Sequence, residues 1–461
     1  MEKTQNKSFF KNLFILAIPI SLQNLITFAV GFADNVMVGS LGENAVSGVY
    51  MGNQMQTVLQ MFIAGIEGGI LILATQYWGK KDAASIRKVI SIGIKLAMVV
   101  GIIFSFAAVC FSPQIITIFI RDAEVIEAGS GYLRILGISF IFFCISQILI
   151  ASMRSVETAK IGLYISILAL VTNVILNYIM IFGHFGFPAM GVKGAALATL
   201  ISRILEAATI VVYVTVVDKK LNFKLADLLK TDKILLKDFI RYGLPVIGGQ
   251  LVWSVNMIMN SILLGHMGKE VTAATSMVMI LHNLVYVWLN GLASSVGIIT
   301  GKTVGAGKYE LMKKYARIVQ VMFFFVGIAS GLIIFALKTP FISLYNISPE
   351  TQAYARQFVN VLSITAAGTS YQMACLFGLV KSGGDVSFVF KMDTIFVFLV
   401  VLPSAFIAYF LGAPPWVVFA CLKCDQILKC IVAVVKINSF NWMKNLTRES
   451  EKENAETAKS T

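Results

Sequence analysis

Residues 11–40 read KNLFILAIPISLQNLITFAVGFADNVMVGS, an apolar run long enough to cross a bilayer as a helix. Pro19 lies in its first half and predicts a kink or a local break, because proline lacks a backbone donor. Asp34 is an isolated acid near its end, and no Lys, Arg or His occurs between positions 12 and 79. A charged side chain at the bilayer centre costs roughly 2.5–3.5 kcal/mol. Asp34 is therefore a candidate functional residue, the alternative being a helix end wetted by the lipid headgroups.

The composition of the whole chain is that of a membrane protein. Of its 461 residues 57% are hydrophobic and 13% are charged, and its mean hydropathy is +0.80. A soluble protein carries about 25% charged residues. Apolar runs of about 20 or more residues occur twelve times, which predicts an all-α polytopic membrane protein with twelve transmembrane helices. These runs cover residues 11–39, 45–76, 89–111, 124–151, 161–182, 191–216, 237–265, 271–300, 317–337, 351–379, 387–410 and 415–437.

Positive charge follows the loops between these runs. With the N-terminus inside, 28 of the 38 Lys and Arg residues fall in inner loops and tails, and four fall in outer loops. The positive-inside rule then predicts that both termini are cytoplasmic, and no removable signal peptide is expected. The net charge of +14 therefore reflects the orientation of the chain in the membrane and does not indicate a nucleic-acid-binding surface. We expect a multi-pass monomer in the cell (plasma) membrane, surrounded by lipid.

The chain contains an internal repeat. Residues 11–88, shifted by 226 positions, superpose Pro19 on Pro245 without a gap. Six predicted helices per half make the two repeats parallel, as in several transporter folds. We predict an N-lobe at 1–217, a cytoplasmic linker at 218–236, a C-lobe at 237–440, and a polar tail at 441–461 without fixed structure from residue 444 on. The glycine pairs that coincide are Gly39 and Gly265, Gly42 and Gly268, Gly65 and Gly291, and Gly79 and Gly305.

The acids of the first half are not duplicated. Asp34 corresponds to Asn260, and Glu67, in AGIEGGILILATQ, corresponds to Ala293. Both halves share glycines because the scaffold requires them. An acid that is present in one half alone indicates a function that is specific to that half. Asp34 is the first candidate for ion coupling and substrate binding, and Glu67 is the second.

A polar helix face accompanies Asp34. Asn173 and Asn177 are four residues apart in the fifth run and share a face, and Thr199 lies in the sixth run, GVKGAALAT, whose small residues allow close packing. These side chains are either interhelical hydrogen-bonding groups or the walls of a polar chamber around Asp34. The other charged residues that we interpret as structural are Arg203 with Glu206, Asp425 with Lys429, and Asp393.

No motif indicates an enzyme. Residues 297–303, GIITGKT, resemble a phosphate-binding loop, but three residues and not four separate its glycines, and the segment ends a predicted membrane helix. Cys421 and Cys424 form a CxxC without further metal ligands nearby, so a metal or redox centre is not expected. We therefore predict no ATP site and no organic cofactor.

Seven short motifs, taken in order, resemble the multidrug and toxic compound extrusion (MATE) transporters over residues 10–440. Each motif is modest alone, and their order together with the 226-residue repeat makes the resemblance specific. The motifs are DNVMVGSLG at 34–42, ATQYWGKKD at 74–82, MRSVETAK at 153–160, NVILNYIMIFG at 173–183, GVKGAALAT at 191–199, LPVIGGQ at 244–250 and VKSGGD at 380–385.

The resemblance implies a secondary active exporter of lipophilic organic cations, driven by an inward H+ or Na+ gradient. It implies two six-helix lobes that alternate between outward-open and inward-open states. The N-lobe ion site of the family corresponds to Asp34, Asn173, Asn177 and Thr199, with Asp34 as the Na+ ligand if Na+ is the coupling ion. Those members carry Asp where this chain has Asn177, and many members carry a second-lobe Glu that is absent around residues 253–256.

Two other functions fit the same helices. A lipid-linked oligosaccharide flippase of the wider superfamily usually has more helices and a cationic cavity, so twelve helices and cavity acids favour the exporter. A passive channel needs no duplication into two lobes. Dye efflux under separately imposed proton and sodium gradients discriminates among these functions.

Overall fold

The computed structural model describes residues 2–230, 232–345 and 347–448, and the side chains from residue 6 on. These residues form fifteen α-helices and no strand. A 3-10 helix covers Leu225–Leu229, and π-helical turns cover Tyr213–Val217, Met373–Lys381 and Phe396–Val401. The α-helices are α1 (Glu2–Gly39), α2 (Glu43–Gly79), α3 (Ala83–Cys110), α4 (Ser112–Phe119), α5 (Ala123–Ser155), α6 (Ala159–Phe182), α7 (Gly191–Val212), α8 (Lys233–Gly265), α9 (Lys269–Gly305), α10 (Tyr309–Ile342), α11 (Pro349–Gln372), α12 (Val386–Ile395), α13 (Leu402–Phe410), α14 (Pro415–Leu422) and α15 (Asp425–Asn438).

The prediction of an all-helical polytopic membrane protein is confirmed. Ten helical segments of the described chain are long and apolar enough to span a bilayer by themselves. Two predicted spans fall below that threshold. The segment formed by α11 and the following π-helical turn is rich in Thr, Ser and Gln, and the last span is broken between α14 and α15 at Lys423 and Cys424.

The internal repeat is visible in the helix ends. In the first repeat α1 ends at Gly39, and α2 starts four residues later. In the second repeat α8 ends at Gly265, and α9 again starts four residues later. The glycine before the second helix has φ +106° at Gly42 and +121° at Gly268, a conformation that L side chains rarely adopt. The backbone therefore requires Gly42 and Gly268 at the same place in each half, which agrees with the repeat.

The described chain divides into two compact units. One, the N-unit, comprises residues 22–247, and the other, the C-unit, comprises residues up to 21 together with those from 248 on. Both boundaries lie inside a helix, two residues after Pro19 in α1 and two residues after Pro245 in α8. Residues 218–236 belong wholly to the N-unit, and the predicted lobe limits stay a prediction.

Close contacts at glycine set the helix spacing inside the N-unit. A Cβ on Gly48 of α2 would lie 2.8 Å from the backbone nitrogen of Gly129 in α5, so the two backbones touch. A Cβ on Gly194 of α7 would lie 2.5 Å from the carbonyl oxygen of Met180 in α6. Small residues at such crossings are the usual means by which membrane helices approach. The contact at Gly194 brings the polar faces of α6 and α7 together.

Part of the predicted polar tail is held against the C-unit. Trp442 is fully buried, and the backbone N–H of Lys444 donates to the carbonyl of Gly383 at 2.7 Å. The Lys444 ammonium also pairs with Asp385 at 2.8 Å. The expectation of no fixed structure from residue 444 is therefore wrong for this part of the C-unit, while residues 449–461 lie outside the described residues.

The carboxylate of Asp227 stabilises the linker of the N-unit, residues 218–236. The Asp227 carboxylate accepts hydrogen bonds from the Lys224 backbone N–H at 3.0 Å and from the Lys230 ammonium at 2.9 Å, and it lies 3.7 Å from the Arg87 guanidinium. Burial alone would raise the pKa of Asp227, but these donors and charges outweigh it and hold the pKa below its ordinary value.

We expect Asp227→Asn to destabilise the protein by about 1–2 kcal/mol at pH 7, because charged hydrogen bonds are lost. A carboxylate with a lowered folded-state pKa stabilises above its unfolded pKa of about 3.9 and loses that contribution as the pH falls. The difference between variant and wild type should therefore narrow below about pH 4. Thermal melting of the detergent-solubilised proteins at several pH values measures this difference in stability, and Glu127→Gln, at an exposed position, is the control. A difference in stability that stays constant down to pH 3 would contradict the lowered pKa of Asp227.

The charge asymmetry predicts opposite sides of the membrane for two exposed loop residues. Leu229, in the linker, is 86% exposed, and Phe185, between α6 and α7, is 83% exposed. In a background without the six native cysteines, Leu229→Cys should react with an impermeant maleimide only after permeabilisation, and Phe185→Cys should react in intact cells. Equal labelling of both positions in intact cells would overturn the topology.

Candidate ion-coupling site

Asp34 receives a hydrogen bond from α6. It lies near the end of α1, in the N-unit, and Nδ2 of Asn177 donates to its Oδ1 at 2.5 Å. Asn177 is fully buried. The contact therefore ties α1 to α6 and gives the isolated acid a neutral donor.

The same amide extends the network to α7. Nδ2 of Asn177 also donates to Oδ1 of Asn173 at 3.2 Å, and Nδ2 of Asn173 donates to Oγ1 of Thr199 at 3.4 Å. The Thr199 hydroxyl in turn donates to the Ala195 carbonyl at 3.0 Å. The structure thus brings Asp34, Asn173, Asn177 and Thr199, four of the five residues predicted from the sequence, into one network that is buried except at the half-buried Asp34.

One acceptor of this network has no partner. Oδ1 of Asn177 is buried and forms no hydrogen bond with the described residues. A buried unpaired oxygen is costly unless a donor or a cation lies against it. Oxygen ligands such as those of Asp34, Asn177 and Thr199 suit hard cations, and a proton needs Asp34 alone. No cluster of three His, Cys, Asp or Glu side chains occurs in the part of the chain that the structure describes, so a transition-metal centre has no donor set there.

Glu67 lies outside the network. It is a half-buried residue of α2 and forms no hydrogen bond or ion pair with the residues that the structure describes, although the charge of Arg154 acts on it. Arg154 itself donates from Nη2 to Oε1 of Gln23 at 2.7 Å, while its Nε has no partner. Glu67 therefore lacks a hydrogen-bond donor among the described residues, whereas Asp34 accepts from the amide of Asn177.

Residues of α5 and α7 that the motifs did not single out also line this region. Nη1 of Arg203 donates to Oε2 of the buried Glu206 at 2.6 Å, and Gln147 donates to the other Glu206 oxygen at 3.3 Å. The Arg203 charge acts on Asp34 as well. The spacing of Arg203 and Glu206 predicted their pairing, but the sequence carried no signal that Arg203 lies near α1.

The C-unit carries a different charge arrangement. Nζ of Lys429 lies 2.9 Å from Asp425 and 2.9 Å from Asp393, so the expected self-contained pair of α15 is shared with α12. Asn260, which matches Asp34 in the repeat, has a buried Oδ1 without a partner among the described residues. The acid of the first repeat is thus replaced by a neutral amide.

Comparison with known proteins identifies the family. The MatE family model matches residues 19–179 and 245–407, well over half of the chain, in two blocks that begin at Pro19 and Pro245. The chain belongs to the MatE family. The two blocks follow the 226-residue repeat found in the sequence and in the helix ends.

Relatives of known description match this chain over most of its length. A Thermotoga maritima protein described as a probable multidrug resistance protein NorM is 26% identical over 453 residues, which covers 96% of each chain. The Bacillus subtilis uncharacterized transporter YisQ is 26% identical over 418 residues, 88% of this chain and 89% of the relative.

Solved structures share the fold. A MATE protein crystallised in a bent conformation superposes with a TM-score of 0.85 at 18% identity, over 94% of this chain and 96% of the other. The eukaryotic MATE transporter AtDTX14 gives a TM-score of 0.83 at 18% identity, over 96% and 98%. The resemblance seen in the motifs is therefore confirmed: the chain is a multi-pass membrane transporter of the MATE family and not an enzyme.

Proposed function

We propose that this transporter exports lipophilic organic cations as a multidrug efflux protein, by antiport with H+ or Na+. The observation that carries the proposal is the hydrogen-bonded acid of α1, Asp34, beside the unpartnered oxygen of Asn177. The printed description of the Thermotoga maritima relative as a multidrug resistance protein supports the substrate class.

Coupling follows from competition for one carboxylate. An ionised Asp34 attracts a cationic substrate strongly where the dielectric constant is low. A proton or a sodium ion on Asp34 removes that attraction and gives the Asn177 oxygen a donor or a cation. A ligand shifts a conformational equilibrium only through different affinities for the two states, so the exchange at Asp34 must alter the packing of α1 against α6 and α7.

Asp34→Asn should therefore uncouple export. We expect gradient-driven efflux of the cationic dye rhodamine 123 from proteoliposomes to fall at least about tenfold, because a neutral amide exchanges neither H+ nor Na+. Imposing a proton gradient and a sodium gradient separately identifies the coupling ion. Melting temperature and elution profile check that the variant stays folded.

The matched control is Glu67→Gln, which neutralises the acid of α2 outside the network and should retain most of the efflux rate. Wild-type efflux by Asp34→Asn would show that this acid is a wetted helix end, and loss in Glu67→Gln alone would transfer the coupling role to α2. Gradient-independent equilibration of the dye by the wild-type protein would support a passive channel. Transport of a lipid-linked oligosaccharide without dye efflux would support the flippase.

Asn177→Asp should increase the preference for sodium. A second carboxylate beside Asp34 supplies the extra negative charge and oxygen ligand that a metal cation needs, whereas a proton needs one acid only. We expect the ratio of sodium-driven to proton-driven efflux to rise several-fold, measured with the same proteoliposomes. Asn177→Leu, which removes both the donor and the acceptor, is the comparison variant. An unchanged ratio of sodium-driven to proton-driven efflux in Asn177→Asp would contradict this role for residue 177.

A further inference from the structure

The N-unit carries a basic segment at residues 218–241, which comprises the linker and the first turns of α8. All seven of its Lys and Arg side chains are exposed, whereas three of its four acids are buried and the fourth is half-buried. The charge that this segment presents to its surroundings is therefore almost wholly positive. The basic residues are Lys219, Lys220, Lys224, Lys230, Lys233, Lys237 and Arg241, and the acids are Asp218, Asp227, Asp232 and Asp238.

The acids of the basic segment are used inside the fold. Asp218 accepts a hydrogen bond from the backbone N–H of Leu221 at 2.8 Å, and Asp232 accepts from the backbone N–H of Leu235 at 3.1 Å. Asp232 also accepts from the Lys88 ammonium of α3 at 3.1 Å. These two carboxylates therefore stabilise the backbone and leave the lysines beside them without a counter-charge. Four lysines of the segment form no ion pair with the residues that the structure describes, namely Lys219, Lys224, Lys233 and Lys237.

Large apolar side chains are exposed between the lysines. Leu225 and Leu229, at the two ends of the 3-10 helix, are 61% and 86% exposed, and Ile234 of α8 is 57% exposed. Leu221 and Phe223 are buried and fix the same stretch of chain to the N-unit. Exposed apolar side chains flanked by lysines are typical of a segment in the membrane interface, where leucine enters the acyl boundary and lysine reaches the headgroups.

Hydrogen bonds to α3 fix the depth of the basic segment. The hydroxyl of Ser91 donates to the carbonyl of Leu228 at 3.3 Å and to the carbonyl of Lys230 at 3.4 Å. Ser91 is fully buried and lies two residues, about 3 Å, beyond the start of the apolar run of α3 at Val89. Leu229, which lies between the two bonded carbonyls, is therefore level with the boundary between the lipid headgroups and the hydrocarbon.

A bilayer with anionic headgroups matches both properties of this surface. Such headgroups attract basic side chains close to the membrane, and apolar side chains gain free energy when they leave water. The basic segment also joins two membrane-spanning segments, 191–217 and 233–265, so both of its ends are held at the bilayer. A nucleic acid or an acidic protein would match the charge and would leave the leucines in water.

We propose that the basic segment binds anionic phospholipids, with their headgroups at the lysines and with Leu225 and Leu229 in the upper acyl region. On the predicted topology these are lipids of the cytoplasmic leaflet. The site is separate from Asp34 and from the coupling ion, so its occupancy can be measured without transport.

Replacement of four lysines tests the contribution of charge. Native mass spectrometry of the purified full-length protein, titrated with equal amounts of phosphatidylglycerol and phosphatidylcholine, gives the ratio of the two lipids that stay bound. The wild type should retain phosphatidylglycerol in excess. The combined variant Lys219→Gln, Lys224→Gln, Lys233→Gln and Lys237→Gln should lower that ratio at least about tenfold. Arginine at the same four positions keeps the charge and should keep the ratio.

The matched control removes the same charge at other places. It replaces with Gln four exposed lysines that the charge asymmetry assigns to the same side of the membrane, and it should leave the lipid ratio unchanged. Melting temperatures check that every variant is folded. The four lysines are Lys160, Lys308, Lys314 and Lys391.

A fluorescent label at position 229 tests the depth. In a background without the six native cysteines, Leu229→Cys carries a nitrobenzoxadiazole group in nanodiscs that contain phosphatidylglycerol and a lipid spin-labelled at its headgroup. The spin label should quench this fluorophore strongly. The same group on Lys308→Cys, eight residues beyond the end of the apolar run 271–300, should be quenched less.

Four results would overturn the proposal. An unchanged lipid ratio in the four-glutamine variant would show that these lysines do not bind headgroups, and an equal loss in the matched control would show that net charge matters and the segment does not. Equal quenching of the two labels would remove the contact between Leu229 and lipid. Displacement of phosphatidylglycerol by excess glycerol phosphate would indicate a site for soluble phosphate esters.

Discussion

The hydrogen bond from Asn177 to Asp34 is the interaction on which the N-unit site depends. An acid in an apolar helix needs donors from the protein, since water is excluded from lipid. The donor comes from α6, and α6 packs closely against α7 at Gly194, where a side chain would collide with the Met180 carbonyl. The close backbone approach at Gly194 and the hydrogen bond from Asn173 to Thr199 therefore join the same pair of helices, α6 and α7.

The two repeats share a backbone plan and differ in charge. The glycine turn and the helix ends recur at a spacing of 226 residues, because the backbone geometry of each repeat requires them. The charged side chains in the helices do not recur: the first repeat has Asp34 where the second has Asn260, and the C-unit adds Lys423 and Lys429. Duplication therefore supplied the scaffold twice, and substitution in each copy gave the two units different electrostatic properties.

The sequence predicted what depends on local pattern. Run lengths gave the helices to within a few residues at most ends, and the i,i+4 spacing placed Asn173 and Asn177 on one face. It missed contacts between distant segments. The link of Lys429 to Asp393 crosses 36 positions, and the burial of Trp442 depends on a turn about 60 residues earlier. The break at Lys423 was missed because the run 415–437 stays apolar on average, although its backbone is interrupted.

Under the proposed coupling, the position of Pro19 determines how a change at Asp34 reaches the rest of α1. The helix changes from the C-unit to the N-unit two residues after this proline, and Gln23, one turn beyond it, is anchored by Arg154. A proline removes one backbone hydrogen bond and permits a kink there. The segment 22–39 carries Asp34, so under the proposed coupling a change in its bonding to α6 acts on the part of α1 that belongs to the N-unit. Pro245 marks the same change in α8, but Asn260 has no charge to exchange. Each repeat therefore has a proline in its first helix, and under the proposed coupling the acid that would use this kink site lies in the first repeat alone.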